Sequence, residues 1–191
     1  CEAAGIPIIP RAQANEFPQF AKPDAGSASM GAMLVRNKAE RDAIIGKEIN
    51  YIFQKYVDGV EYTVDAYVTR DGQILGISPR IRVLTLGGES IVTQTLHDEQ
   101  IVTFAAGVIG KLGLIGPLTL QFIRRKADQA LFLMEINPRF GGGVIASIEA
   151  GFDFPLMMIK ELLGESQQGV MQGKQLLMKR YFQEVFYEVG D

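Results

Sequence analysis

The residues most suited to chemistry sit in two apolar runs of the 191-residue chain, PLTLQFIRR and ALFLMEINPR, which supply Gln121, Glu135 and Asn137. A polar turn around Asp128 separates the runs, so they read as a β-hairpin. Pairing Lys126 with Ala130 across a three-residue loop sets Gln121 opposite Glu135. Residues two apart on a strand share a face, which brings Asn137 beside Glu135. Leu120, Phe122, Phe132, Met134 and Ile136 then form the core side. A carboxylate between two amides is a partial set of hard oxygen donors, of the kind magnesium takes when nucleotide phosphates complete its shell. A strand face wetted by solvent shows the same alternation, so the hairpin alone leaves both readings open.

The flanking sequence favours the ligand reading. NPRFGGGV places Arg139 and three consecutive glycines just past Asn137 and ahead of a predicted helix. Glycines let backbone amides approach an anion closely. A plain glycine turn is the alternative. Arg80 and Arg82 share one strand face, as a surface salt-bridge row or an anion clamp would require.

The elements that must carry these residues follow from pattern. GIPIIP reads as a short strand, and FPQFAKP as another ending at Lys22 and Pro23. DAGSASMGA is a loop. NKAERDAIIGKEI is helical, with Asn37 as cap and Ala39, Ile44, Ile45 and Ile49 on its apolar side. YIFQKYV is extended. VEYTVDAYV alternates, putting Glu61, Thr63, Asp65 and Tyr67 on one face, with Asp65 open to a structural role. A turn at Arg70–Gln73 leads into ILGISPRIRVLTL. DEQIVTFAAGVIGKLG is an amphipathic helix stopped by Gly113. Helices follow GGG and span FPLMMIKELLG, where the methionines are core. KQLLMKRYFQEVFYEV closes as strand. The expected organisation is α+β, with a small lobe at 6–57 and a larger one at 58–191.

Composition bounds the partners. Hydrophobic residues make up 47% and charged residues 21%, with a formal net charge of -3. No basic stripe interleaved with aromatics runs along the chain, so nucleic acid is not an expected partner. No apolar run reaches the ~18–20 residues of a membrane helix. The one cysteine, Cys1, cannot form an internal disulfide, and the expected location is cytoplasmic. A first residue other than methionine fits a piece of a longer protein. His97 reads as an ordinary surface residue at a helix start. The sequence leaves the oligomeric state open.

LQFIRRKADQALFLMEINPRFGGG resembles the metal-binding hairpin of ATP-grasp proteins, especially the carbamoyl-phosphate-synthase-like branch. FPQFAKPDAGSASMGA is similar to that family's lysine strand and phosphate-covering loop, and FQKYVDGVEYTVDAYV to its adenine hinge and ribose strand. The three segments occur in the family's order and cover nearly the whole chain. The resemblance implies an ATP-grasp fold of two α+β lobes, with ATP and one or two magnesium ions (manganese as an alternative) in the cleft between them.

Carried over by position, Lys22 would contact the α- and β-phosphates. Ser27, Ser29 and Gly31 would belong to the phosphate-covering loop. Gln54, with backbone groups of Lys55 and Val57, would meet adenine, and Glu61 the ribose. Gln121, Glu135 and Asn137 would hold the metal. Arg80, Arg82 and Arg139 would face the γ-phosphate or a substrate carboxylate.

The implied activity is ATP-dependent, ADP-forming ligation. A carboxylate becomes an acyl phosphate, which an amine or thiol then attacks. No Ser–His–Asp pattern competes with this mechanism. Two departures stand out: Gln54 replaces a glutamate common in the family, and an upstream lysine and N-terminal α/β domain precede the region matched. The absent domain is therefore an expected partner. The alternatives are a nucleotide-binding module without activity of its own and a purely structural α+β domain.

Overall fold

A computed structural model describes residues 1–25, 30–45, 49–86 and 89–188. Strands β1 (Gln19–Pro23), β2 (Met33–Val35) and β3 (Tyr51–Lys55) form an antiparallel sheet in the order β2-β1-β3. Helix α1 (Lys38–Ile45) packs on one face through Ile44, which is buried with Ala21 and Val35. Its start is fixed reciprocally. The Glu40 N–H donates to the Asn37 side chain at 2.9 Å, while the Glu40 carboxylate accepts from the Asn37 amide and the Arg36 N–H. Asn37 is the cap that the sequence implies, and the return contacts of Glu40 were not foreseen. Ile45 and Ile49 do not join the apolar side: they are 58% and 55% exposed, Ile45 because its neighbour Ile44 takes the face toward the sheet, and Ile49 because it lies outside the helix.

The second sheet contains β4 (Gly59–Val68), β5 (Ile74–Leu86), β6 (Glu89–Thr95), β7 (Gly116–Arg125), β8 (Leu131–Asn137) and β9 (Leu177–Lys179), in the order β8-β7-β4-β5-β6-β9. Helix α2 (Glu99–Leu112) covers one face. Asp98 caps it by accepting from the Ile101 N–H at 3.1 Å, and Gly113 ends it in the left-handed conformation, with φ 60°. Ile101, Ala105, Val108 and Ile109 meet Val64, Ala66, Leu118, Leu120 and Phe122 in the main core. Helices α3 (Val144–Glu149) and α4 (Phe154–Leu162) lie against part of the opposite face, over Tyr67 and Leu75.

Several expectations need correction. GIPIIP is extended but makes only isolated bridges, Ile8 with Leu133 and nearby Arg11 with Gln54. Ile6 is buried in the main core, so the first residues of the segment assigned to the smaller lobe pack with the larger sheet. β6 was not foreseen. The closing strand shrinks to β9, beyond which Tyr181, Phe182, Phe186 and Tyr187 are more than four-fifths exposed.

The β7–β8 hairpin reaches its register by an unexpected route. Arg125, rather than Lys126, meets Ala130, its N–H donating to the Ala130 carbonyl at 2.9 Å, so the turn is one residue longer than expected. A bulge at Met134 then takes up the offset. Phe122 faces Leu133, yet Gln121 still faces Glu135. Between the longer turn and the bulge the faces are exchanged, so Leu131 and Leu133 are the buried residues, with Phe132 and Met134 only half-buried.

Candidate functional site

A cleft of about 420 Å³ opens between the two sheets. Its floor on the smaller sheet is the face turned away from α1, where Phe20 pairs with Gln54 and Lys22 with Ile52 across β1 and β3. Strand alternation puts these four on one side and Ala21, Phe53 and Tyr51 on the other, against α1. The larger sheet contributes one polar residue from each of four adjacent strands: Arg82 from β5, Glu61 from β4, Gln121 from β7 and Glu135 from β8. Tyr56 and Val57 close the connection between the sheets.

Phe20, Ile52, Ile123 and Met134 give the cleft an apolar lining of the kind that receives a planar ring. The Gln54 side-chain amide donates to the Ile9 carbonyl at 3.2 Å, leaving its oxygen as the group available to a ligand. Among the described residues no backbone or side-chain acceptor engages the Val57 N–H. The Lys55 side chain is occupied by Glu16 at 2.6 Å, so any part it plays falls to its main chain. No ion pair among the described residues involves Lys22. Arg82 donates to Glu61 at 2.6 Å across the adjoining strands, coupling two residues that the sequence reading assigned separately.

Gln121 and Glu135 stand directly across from each other and both line the cleft. Asn137 follows on the same strand, opposite Thr119, and its side-chain nitrogen is buried without a partner. Among the described residues no group of three or more histidine, cysteine, aspartate or glutamate side chains has metal-binding geometry. One carboxylate and neighbouring amides fit a hard cation whose remaining ligands come from a bound phosphate chain, and do not fit an all-protein cage.

Asn137, Arg139, Gly31 and Arg80 are not among the cleft-lining residues. Arg139 is exposed and donates to the Phe140 carbonyl at 3.2 Å. Gly31 sits in a loop at φ 76° beside Pro23 and Tyr51. Ser27 and Ser29 lie outside the described residues. Arg80 corrects the expectation that it faces a phosphate or substrate: it is 2% exposed, and its Nε donates to Asp65 at 2.8 Å beneath the glycine turn. Burial opposite a carboxylate removes it from the ligand-facing row that holds Arg82. Thr119, Ser147 and Arg180 were not anticipated, and the Arg180 guanidinium donates to the Gly142 carbonyl. Asp65 could have been found from the turn at residues 70–73. That turn brings Ser78 opposite Asp65 and hence Arg80 diagonal to it.

With this geometry established, the chain can be placed among known proteins. A family model described as ATP-grasp in the biosynthetic pathway with Ter operon matches residues 47–184. The chain belongs to the ATP-grasp family and has the ATP-grasp fold. It is 26% identical to the arginine-specific large chain of carbamoyl phosphate synthase from Geobacillus stearothermophilus, over 91% of this chain but 19% of that protein. Biotin carboxylase from Campylobacter jejuni, solved with β-γ-ATP, superposes with a TM-score of 0.69 at 20% identity, covering 88% of this chain and 45% of that one. The biotin carboxylase domain of Hydrogenobacter thermophilus 2-oxoglutarate carboxylase, solved with MgADP, ADP and bicarbonate, gives 0.73 at 17% identity, over 89% and 45%. The chain thus spans about half the length of these structures and a fifth of the curated relative. Among the described residues no helix is long and apolar enough to cross a membrane.

Proposed function

We propose that this chain is the magnesium–ATP-binding region of a ligase that activates a carboxylate as an acyl phosphate. The observation that carries the reading is the convergence of Lys22 and Gln54 from one sheet with Glu61, Arg82, Gln121 and Glu135 from the other on one cleft. The lobe built around β1–β3 would hold the base and the lobe built around β4–β9 the ribose, metal and phosphate tail.

Each residue's part follows from its chemistry. Gln54 accepts from the adenine amino group through its oxygen, and the Lys55 carbonyl and Val57 N–H complete the base edge. Glu61 accepts from a ribose hydroxyl, steadied by Arg82. Lys22 opposes the α- and β-phosphates as a point charge. Gln121 and Glu135, with Asn137 next on the same strand face, would hold one or two magnesium ions, and Arg139 would serve the transferring phosphoryl group. Bound magnesium would neutralise charge on the phosphate chain. The substrate carboxylate oxygen attacks the γ-phosphorus and ADP leaves. An amine or thiol then attacks the acyl carbon and phosphate leaves. The protein positions and neutralises without a covalent nucleophile of its own.

A second reading, a nucleotide-binding piece that needs the rest of a longer protein for turnover, is favoured by the chain's span of 19% of its curated relative. Calorimetry of the chain with ATP and magnesium, beside a phosphate-release assay over candidate acids and amines, separates the two. Both readings expect magnesium-dependent ATP binding, and only the ligase reading expects release. Second-sphere partners of metal sites are worth roughly 10- to 100-fold in affinity. Glu135→Gln, at a direct ligand, is expected to weaken magnesium–ATP binding by about 100-fold with the melting temperature retained. Unchanged affinity would reject the metal assignment.

A further inference from the structure

Away from the cleft lining, three buried polar side chains from three elements meet at the carboxylate of Asp65 on a fourth. Asp65 on β4 accepts from Arg80 Nε at 2.8 Å, Arg80 Nη2 at 3.4 Å and Ser147 Oγ at 2.9 Å, with the Thr119 hydroxyl at 3.1 Å. The four residues are 1%, 2%, 0% and 4% exposed for Asp65, Arg80, Ser147 and Thr119. The same Thr119 hydroxyl lies 3.1 Å from the Arg139 carbonyl, so its single proton is shared between the carboxylate and the main chain beyond Asn137.

The glycine turn rests directly on this group. A Cβ at Gly141 would come within 2.8 Å of Thr119 Oγ1, and one at Gly143 within 2.6 Å of Arg80 Cζ. Helix α3 starts at Gly143 and returns Ser147 to the same carboxylate. Ordinary packing does not require a charged residue here, and burying an ion pair carries a desolvation cost that apolar residues would avoid. Arg80 also keeps one buried nitrogen, Nη1, without a partner. The arrangement fixes the backbone from Arg139 to Ser147 relative to the strands that carry Gln121 and Glu135.

We infer that Asp65 is a positioning residue. Acting through Thr119 and Arg80, it sets the Arg139–Gly143 segment against the metal-bearing hairpin and so tunes affinity for the phosphate tail of the nucleotide without touching it. This rests on the proposed orientation, with base toward Gln54 and phosphates toward Glu135.

The test uses the full chain with Thr119→Val, which removes the hydroxyl at nearly constant shape, Thr119→Ser, which restores it, and Asp65→Asn. Affinity is measured for magnesium–ATP and for AMP, and amide hydrogen exchange is followed without ligand. Thr119→Val is expected to weaken magnesium–ATP by about tenfold, the scale of outer-sphere partners, with AMP affinity unchanged and exchange at Arg139–Val144 accelerated. Thr119→Ser should restore both. Asp65→Asn, if it folds, should exceed Thr119→Val. A merely structural role would lower thermal stability and shift both nucleotides equally. That equal shift, or wild-type exchange at Arg139–Val144 in Thr119→Val, would overturn the inference while leaving the proposed function intact. Absence of magnesium–ATP binding by the wild-type chain would overturn both.

Discussion

Asp65 and Tyr67 lie two residues apart on the same face of β4, and each ties a helix to the sheet, but with opposite polarity. Asp65 is a buried acceptor surrounded by donors, one of them the α3 residue Ser147. Tyr67 is a buried donor whose hydroxyl reaches Glu161 on α4 at 2.5 Å, and the same carboxylate accepts from the Arg70 N–H at 2.7 Å. The first places both charges out of water beneath the glycine turn. The second keeps the charge at the helix and buries only a neutral ring. Charge inside the sheet can fix the turn beside the cleft, at the risk of a large penalty if a partner is lost. The neutral tie secures packing at little risk.

That contrast can be broken by removing each tie in turn. Asp65→Ala leaves the Arg80 cation buried and unpaired, and is expected to cost about 3–5 kcal/mol of unfolding free energy in denaturant titration. A cost near that of an exposed pair would show the network to be dispensable. Gly143→Ala keeps the pair but presses a methyl group toward the Arg80 guanidinium, with an expected cost of about 1–3 kcal/mol from overpacking. The backbone itself tolerates alanine there, at φ −96°.

Tyr67→Phe should cost about 1 kcal/mol, the net worth of one hydrogen bond, and its pH dependence sharpens the comparison. Burial, and then the hydrogen bond to the Glu161 carboxylate, push the Tyr67 hydroxyl up to about 12, while that same hydrogen bond holds Glu161 below its ordinary 4.5. A lowered acid stabilises the fold above its ordinary value and stops doing so as pH falls through the lowered one. A raised phenol stabilises below its ordinary value of 10.0 and stops as pH climbs toward about 12. The difference between wild type and Tyr67→Phe, read as unfolding free energy across pH, should therefore be flat between those limits and shrink at both ends.

Much of the site was legible because strand alternation holds where the ladder is unbroken, as along β4, while the Gln121–Glu135 pair was reached only because the longer turn and the Met134 bulge offset each other. Once Gln121 was set against Glu135, and Glu61 placed on the odd face of its strand, the cleft's larger wall followed. Lys22 and Gln54 came from motif order, and both line the cleft. What stayed hidden depended on contacts between elements distant in sequence. Arg80 looks like Arg82 in the sequence, and only the packing of α3 and the glycine turn over the middle of the sheet seals one while the other, half-buried, reaches the cleft. Thr119 and Ser147 carry no charge or motif, and their roles arise from the carboxylate they share. The tail aromatics follow the same logic in reverse, since a strand-like pattern forms a strand only where a partner edge is present.

The Met134 bulge gives the hairpin a phase correction: the four-residue turn at its tip and the extra residue near its base cancel, so Glu135 arrives on the polar side. Were Met134 drawn into regular pairing, it would face Gln121 and shift Glu135 opposite Leu120, toward the hydrocarbon interior, whereas deleting Met134 would leave a regular ladder that still sets Glu135 against Gln121. The unpaired state of residue 134, and not its side chain, thus keeps Glu135 on the polar side.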